Sequence, residues 1–162
     1  MSDVPAERRT PADSVTEMTE LVLPQHANAI GTAFGGTVLS WIDVCAAIAA
    51  QRHCGAVAVT ASIDEVQFLG PIRVGDVVRL VARLNAAFRT SVEVEVRVET
   101  EDASGTRALC ADGLLTFVKV DGEGRPAPVP PLTPETPADT ARAEAAAARR
   151  QERLARKARP GG

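Results

Sequence analysis

Phe34-Gly35-Gly36-Thr37-Val38-Leu39-Ser40-Trp41-Ile42-Asp43-Val44-Cys45-Ala46-Ala47-Ile48-Ala49-Ala50 is the most apolar helix this chain can make, and it carries one charge. Gly35 and Gly36 precede it, and Gly55 stands where a helix commonly stops in a left-handed residue. The pattern predicts a helix over Thr37–His53, about 25 Å long at 1.5 Å per residue. A helix apolar nearly all round must be covered on most of its sides. Asp43 is the exception within it. Its neighbours three and four residues away are Leu39, Ser40, Ala46 and Ala47, so no Lys or Arg shares its face. A lone carboxylate in a dry interior normally neutralises or finds a partner. Asp43 is therefore either solvated in a cleft or put to use.

Working outward, the remaining patterns are strands. Glu17 to Leu23 reads as a short first strand, stopped by Pro24. Val78, Leu80, Ala82 and Leu84 alternate with Arg79 and Arg83, and Val92, Val94, Val96 and Val98 alternate with Glu93, Glu95, Arg97 and Glu99. Period-2 alternation of this kind marks a sheet with one wet face. Phe88-Arg89-Thr90-Ser91 is short enough to join those two strands antiparallel. A further strand starts at Val57, and its phase slips at Asp64-Glu65; the last strand slips near Asp112-Gly113. Such slips mark bulges, which bend strands and recur near sites. The expected class is α+β: about five antiparallel strands wrapped around one central helix. One curled sheet leaves the helix's far side bare, and a second copy of the domain would cover it, so a homodimer is expected.

The bulk properties fit one domain. The chain has 162 residues, 45% of them hydrophobic, and a formal net charge of -3. That balance offers no basic field, so nucleic acid is not an expected partner. No apolar run approaches the roughly 20 residues that span a bilayer, and Met1 to Ala12 lacks the apolar segment of a secretory signal. Cys45, Cys54 and Cys110 are too few and scattered for a disulfide framework or a zinc site, so no metal is expected and the compartment reads as cytoplasmic. Residues 1–14 read as a flexible arm and 15–121 as the folded domain. Residues 122–137 read as a Pro-rich extended segment, and 138–162 as an Ala/Arg-rich tail, helical or disordered. Leu154 is the one large apolar residue in that tail, so a helix there has no apolar stripe to bury.

Leu23-Pro24-Gln25-His26-Ala27-Asn28-Ala29-Ile30-Gly31-Thr32-Ala33-Phe34-Gly35-Gly36, followed by Trp41-Ile42-Asp43, resembles the signature of the hotdog-fold acyl-CoA thioesterases, in particular the bacterial YciA-like group related to the brain-type acyl-CoA hydrolases. Further matching pieces are Val59-Thr60, Phe68-Leu69-Gly70-Pro71, Val74-Gly75-Asp76-Val77-Val78, Arg89-Thr90-Ser91-Val92 and Val118-Lys119-Val120-Asp121. The resemblance covers about Glu20 to Pro130. It implies hydrolysis of acyl-CoA to free acid and CoA, with CoA thioester as substrate and no cofactor. It implies catalytic residues at Asn28 and Asp43, Asp43 of one subunit facing Asn28 of the other, and a larger assembly as a trimer of dimers. The implied roles suit the residues. A carboxylate activates water as general base or attacks as nucleophile. The backbone N–H of Gly35 or Gly36 at the helix start offers an oxyanion donor, and Asn28 holds the water or the carbonyl. The resemblance also places CoA contacts at Thr60, Arg89, Thr90 and Ser91, with Arg89 pairing phosphate. A Gly commonly precedes that turn in the family, whereas Phe88 and Arg89 stand here.

His26 reads as a loop residue at the entrance, and His53 as a cation suited to the helix C-terminus. Trp41, Val66 and Phe68 are candidates to shape an acyl channel. The competing function is a non-hydrolytic acyl-CoA sensor, which the basic tail keeps open; a hotdog dehydratase is disfavoured because no His accompanies Asp43.

Overall fold

In the computed structural model, which describes residues 9–159, the chain folds as β1 (Thr16–Leu21), α1 (Gly35–Cys54), β2 (Ala58–Phe68), β3 (Val77–Ala87), β4 (Ser91–Glu101), β5 (Arg107–Lys119) and α2 (Pro137–Lys157), with 3-10 turns at Ala12–Ser14 and Pro24–His26. The five strands form one antiparallel sheet in the order β1-β3-β4-β5-β2. This is the hotdog arrangement that the sequence predicts.

Alternation sets the inner face. Val78, Leu80, Ala82 and Leu84 of β3 and Val92, Val94, Val96 and Val98 of β4 are fully buried against α1, which supplies Val38, Ile42, Cys45, Ala46, Ala49 and Ala50. Small residues on this side of α1 let the helix approach the sheet closely. Gly113 of β5 serves the same end: a Cβ there would meet Ile42 Cγ2 at 3.4 Å and Val66 Cγ2 at 3.5 Å. At its end, α1 stops at Gly55, whose φ of 62° is the left-handed conformation anticipated from the sequence. Arg9 donates to the His53 carbonyl there.

Burial pushes the Cys45 thiol up to about 11 and raises that of Cys54. All three cysteines are free.

The β2–β5 register shifts between Thr60 and Ser62 and again between Ile63 and Glu65, so the expected slip at Asp64-Glu65 is a bulge. The slip expected near Asp112-Gly113 is not there. β5 keeps its alternation through Gly113, which faces α1, and the β4–β5 register shifts instead between Val98 and Glu99, leaving Cys110 unpaired.

Three further expectations change. Residues 9–14, read as part of a flexible arm, are bound in. Arg9 bridges to Leu132, and Ser14 Oγ donates to the Pro11 carbonyl at 2.6 Å and accepts from Leu84 N–H at 2.9 Å; residues 1–8 lie outside the described part. The Pro-rich segment is extended but lies against the domain, with Ala127 N–H on the Lys119 carbonyl and Val129 N–H on the Arg89 carbonyl. The tail is a docked helix. Thr136 caps α2, accepting from Asp139 N–H at 3.1 Å. The helix then crosses the sheet's outer face, held by Arg83 with Asp139, Arg142 with Glu95 (3.7 Å), Arg149 with Glu93 (2.6 Å) and Arg153 with Asp64 (3.5 Å). Glu93, expected in water, is fully buried beneath it.

Candidate active site

The chain assembles two clusters at different heights along α1. The first is the loop before the helix. Asn28 closes it: its N–H donates to the Thr32 carbonyl at 2.8 Å, and Oδ1 accepts from the N–H groups of Ile30 (3.0 Å) and Thr32 (3.2 Å). Nδ2 donates to Thr32 Oγ1 at 2.8 Å. Gly31, at φ 78°, makes the reversal. Phe34 N–H donates to the His26 carbonyl at 2.9 Å, and Ala33 N–H to the Ile72 carbonyl at 2.8 Å, so the loop is clamped to the start of α1. His26 adds an edge contact with Trp41, ring centroids 5.1 Å apart, and its Nδ1 accepts from Leu23 N–H at 3.0 Å. His26 is thereby a loop clamp.

Gly35 and Gly36 are exposed at this same place. They occupy the first turn, where N–H groups have no intrahelical acceptor and the helix dipole favours negative charge. A Cβ on Gly36 would meet nothing within 4 Å, while one on Gly35 would meet the Phe68 ring at 3.5 Å. The Gly36 N–H is thus open to an approaching ligand atom.

The second cluster is Asp43 with Thr60. Thr60 Oγ1 donates to Asp43 Oδ1 at 2.8 Å, across from β2 to α1. Asp43 is half-buried, and no hydrogen bond among the described residues engages Oδ2. The sequence assigned Thr60 to CoA and missed its hydroxyl as the partner of Asp43. The only available signal was that β2 begins four residues past the helix end and must run back along α1. It does so, passing from Thr60 beside Asp43 to Phe68 beside Gly35. Val66 and Phe68, named for the acyl channel, therefore line the path between the clusters.

Asp43 lies seven residues beyond Gly36, which is about 10 Å along the helix axis. One reacting carbon cannot touch both within one chain. The Asn28–Gly36 cluster and the Asp43–Thr60 cluster therefore stand apart on one chain. The surface beside Asp43 is apolar and open: Val44 and Ile48 of α1, Val57 just before β2, and Val59, Ile63 and Phe68 of β2 are exposed. β2 is also an edge strand, paired on one side only.

His53 is not the helix-end cation expected from sequence. It is buried, with Nε2 2.8 Å from the Pro130 carbonyl oxygen. Burial lowers its pKa, the Pro130 contact pulls the other way, and the charges of Arg9 and Lys119 lower it again. Among the described residues, no group of three or more His, Cys, Asp or Glu is gathered as a metal site, and no helix is long and apolar enough to cross a membrane. Arg89 is exposed in the β3–β4 turn, and Thr90 and Ser91 are half-buried there. Phe88 N–H donates to the Ser91 carbonyl at 2.8 Å, closing the turn.

Comparisons with known proteins match this architecture. Residues 30–105 match the family model of the thioesterase superfamily. The chain is 41% identical over 152 residues to the uncharacterized acyl-CoA thioester hydrolase YkhA of Bacillus subtilis, covering 93% of this chain and 88% of that one. An apo-hexameric acyl-CoA thioesterase superposes with TM-score 0.88 at 41% identity, covering 94% of this chain and 99% of that one. The acyl-CoA hydrolase of Staphylococcus aureus, solved with butyryl coenzyme A, coenzyme A and coenzyme A disulfide, superposes with TM-score 0.85 at 38% identity, covering 93% of this chain and 92% of that one. That same hydrolase has been solved with alanine in place of an aspartate, an asparagine or a threonine. With its sheet order, its central helix and its close relatives at these identities, the chain belongs to the hotdog-fold acyl-CoA thioesterase family.

Proposed function

We propose that the protein hydrolyses acyl-CoA thioesters at a site shared by two copies, one giving Asn28 and the Gly35-Gly36 backbone, the other Asp43 and Thr60. The observation that carries this reading is the state of Asp43: one carboxylate oxygen fixed by Thr60, the other free on an open surface. The substrate carbonyl rests on the Gly36 N–H and the remaining Asn28 Nδ2 hydrogen, which stabilise the developing oxyanion. Asp43 Oδ2 delivers the attack, through a water it deprotonates or by adding to the carbonyl itself. The carbon–sulfur bond then breaks, and the CoA sulfur leaves as thiol after taking a proton. In the water route that proton returns from Asp43, so the carboxylate is regenerated. In the covalent route the thiolate takes its proton from a water, and the hydroxide left behind cleaves the acyl–Asp43 anhydride, which releases the free acid and regenerates the carboxylate.

The exposed apolar surface and the unpaired β2 edge support a homodimer, and the hexameric relative supports a trimer of dimers as the larger assembly. Arg89, Thr90 and Ser91 are assigned to the CoA nucleotide end, and the open β2 backbone at Thr60 to the pantetheine amides. Three free thiols fit a reducing compartment, and we place the enzyme in the cytoplasm.

Thiol release from acyl-CoAs of graded chain length tests the reading. Turnover is expected in some part of the series, and binding without any released thiol would instead establish an acyl-CoA sensor. Thr60→Val should lower kcat about tenfold or more, the effect of losing one positioning hydrogen bond of about 1.4 kcal/mol or more, while the dimer persists.

A further inference from the structure

We infer that Arg150 of α2, seated on Phe88, is a second phosphate contact for the nucleotide end of coenzyme A, an inference that rests on the acyl-CoA reading above. Phe88 stands where the family resemblance leads one to expect glycine, and the structure gives its ring an occupant: the guanidinium carbon of Arg150 lies 4.9 Å from the ring centroid. This arginine differs from its neighbours on α2. Arg142, Arg149 and Arg153 are each committed to a carboxylate on the sheet. Among the described residues Arg150 forms no ion pair, although it is half-buried and held in place. Stacking engages the face of a guanidinium and leaves its in-plane N–H donors free, in the fork that suits a phosphate.

The surroundings point the same way. Arg150 stands over the turn that carries Arg89, Thr90 and Ser91, and no carboxylate lies within that turn. The turn is also within reach of the reacting end. Thr60 pairs with Phe117 across β2–β5, and Phe117 pairs with Val92 across β5–β4, one residue from Ser91. Two strand spacings, about 10 Å, therefore separate Asp43's partner from the turn, a gap for the pantetheine arm to bridge. A tail without an apolar stripe thus places a cation where the ligand's negative charge falls.

The test compares an acyl-CoA, its 3′-dephospho analogue and the same acyl group on N-acetylcysteamine, which has no phosphate. Arg150→Ala should raise KM for the acyl-CoA about tenfold, the lower end for a charge-assisted contact, with kcat nearly unchanged. It should leave the N-acetylcysteamine thioester unaffected, which also shows that the variant is folded. Phe88→Ala should shift KM in the same direction, and Arg150→Lys should lie between. A KM penalty that disappears with the dephospho analogue assigns the contact to the 3′-phosphate; one that persists assigns it to the pyrophosphate. An unchanged KM for acyl-CoA, or an equal change for the phosphate-free thioester, overturns the inference. Absence of wild-type turnover on every thioester would overturn the hydrolase reading itself, and this inference with it.

Discussion

Asn28 has one uncommitted group. Its Oδ1 is occupied by two backbone N–H groups and one Nδ2 hydrogen by Thr32, so a single N–H is left. That fixes its part in the proposed chemistry as a donor to the carbonyl oxygen, which the sequence left open between carbonyl and water. The loop that Asn28 closes holds its amide in one orientation, as the proposed role requires. Asp43 is handled in the complementary way, with the neutral Thr60 hydroxyl fixing one oxygen and the other left open. His53 is a residue whose titration bears on the fold. Its pKa is lowered in the folded state, so the unfolded chain binds more protons once the pH drops toward the ordinary His value of about 6.5. Its contribution is complete above that pH and is lost as the pH falls below it. Urea midpoints should therefore decline between pH 7.5 and 5.5, and His53→Gln should flatten that part of the profile; an unchanged slope would contradict the assignment.

α2 shows how the docking of a helix can be missed by an argument from apolar stripes. Its inward residues Arg142, Ala146, Arg149 and Arg153 recur at helical spacing, but three of the four are charged. Their partners are acids on the sheet's outer face, with the aliphatic stems lying over it. The signal was present as arginines spaced for one face opposite Glu93 and Glu95, and a hydropathy reading discards it. Arg149→Ala would leave Glu93 buried without its cation. The expected loss is about 3 kcal/mol, the low end for breaking a buried pair because Arg149 is one-third exposed. Chemical denaturation of the full chain measures it, and a loss under 0.5 kcal/mol, the ordinary range for a surface substitution, would show that the ion pair does not hold α2. α1 and the β3–β4 hairpin were legible because their periods are clean and their ends carry Gly or a short turn. Thr60 as the partner of Asp43 was not, because a contact between elements depends on where β2 returns along α1, and the bulges that set this are only faintly encoded. His53 was misread for a related reason: the Pro130 segment that covers it lies 77 residues downstream.

At the scale of the whole molecule, the proposed site falls into two halves on each chain. The Gly36 and Asp43 halves stand about 10 Å apart on one rigid helix, so no side-chain motion within a chain unites them. In the proposed homodimer a twofold axis would do so, bringing each half against the other half of its mate. The same surface that needs cover for physical reasons, the apolar β2 edge with Val44 and Ile48, carries Thr60 and Asp43. On the proposed reading, assembly and catalysis share one interface. Co-expressing Asn28→Ala and Asp43→Ala chains in equal amounts tests this most directly. Each variant alone should be inactive. A mixed dimer should hold one intact site, formed by the Asp43 of one chain and the Asn28 of the other. With random pairing, thiol release should recover to about a quarter of wild type. Mixed dimers that form without any recovered thiol release would contradict a site shared between two copies.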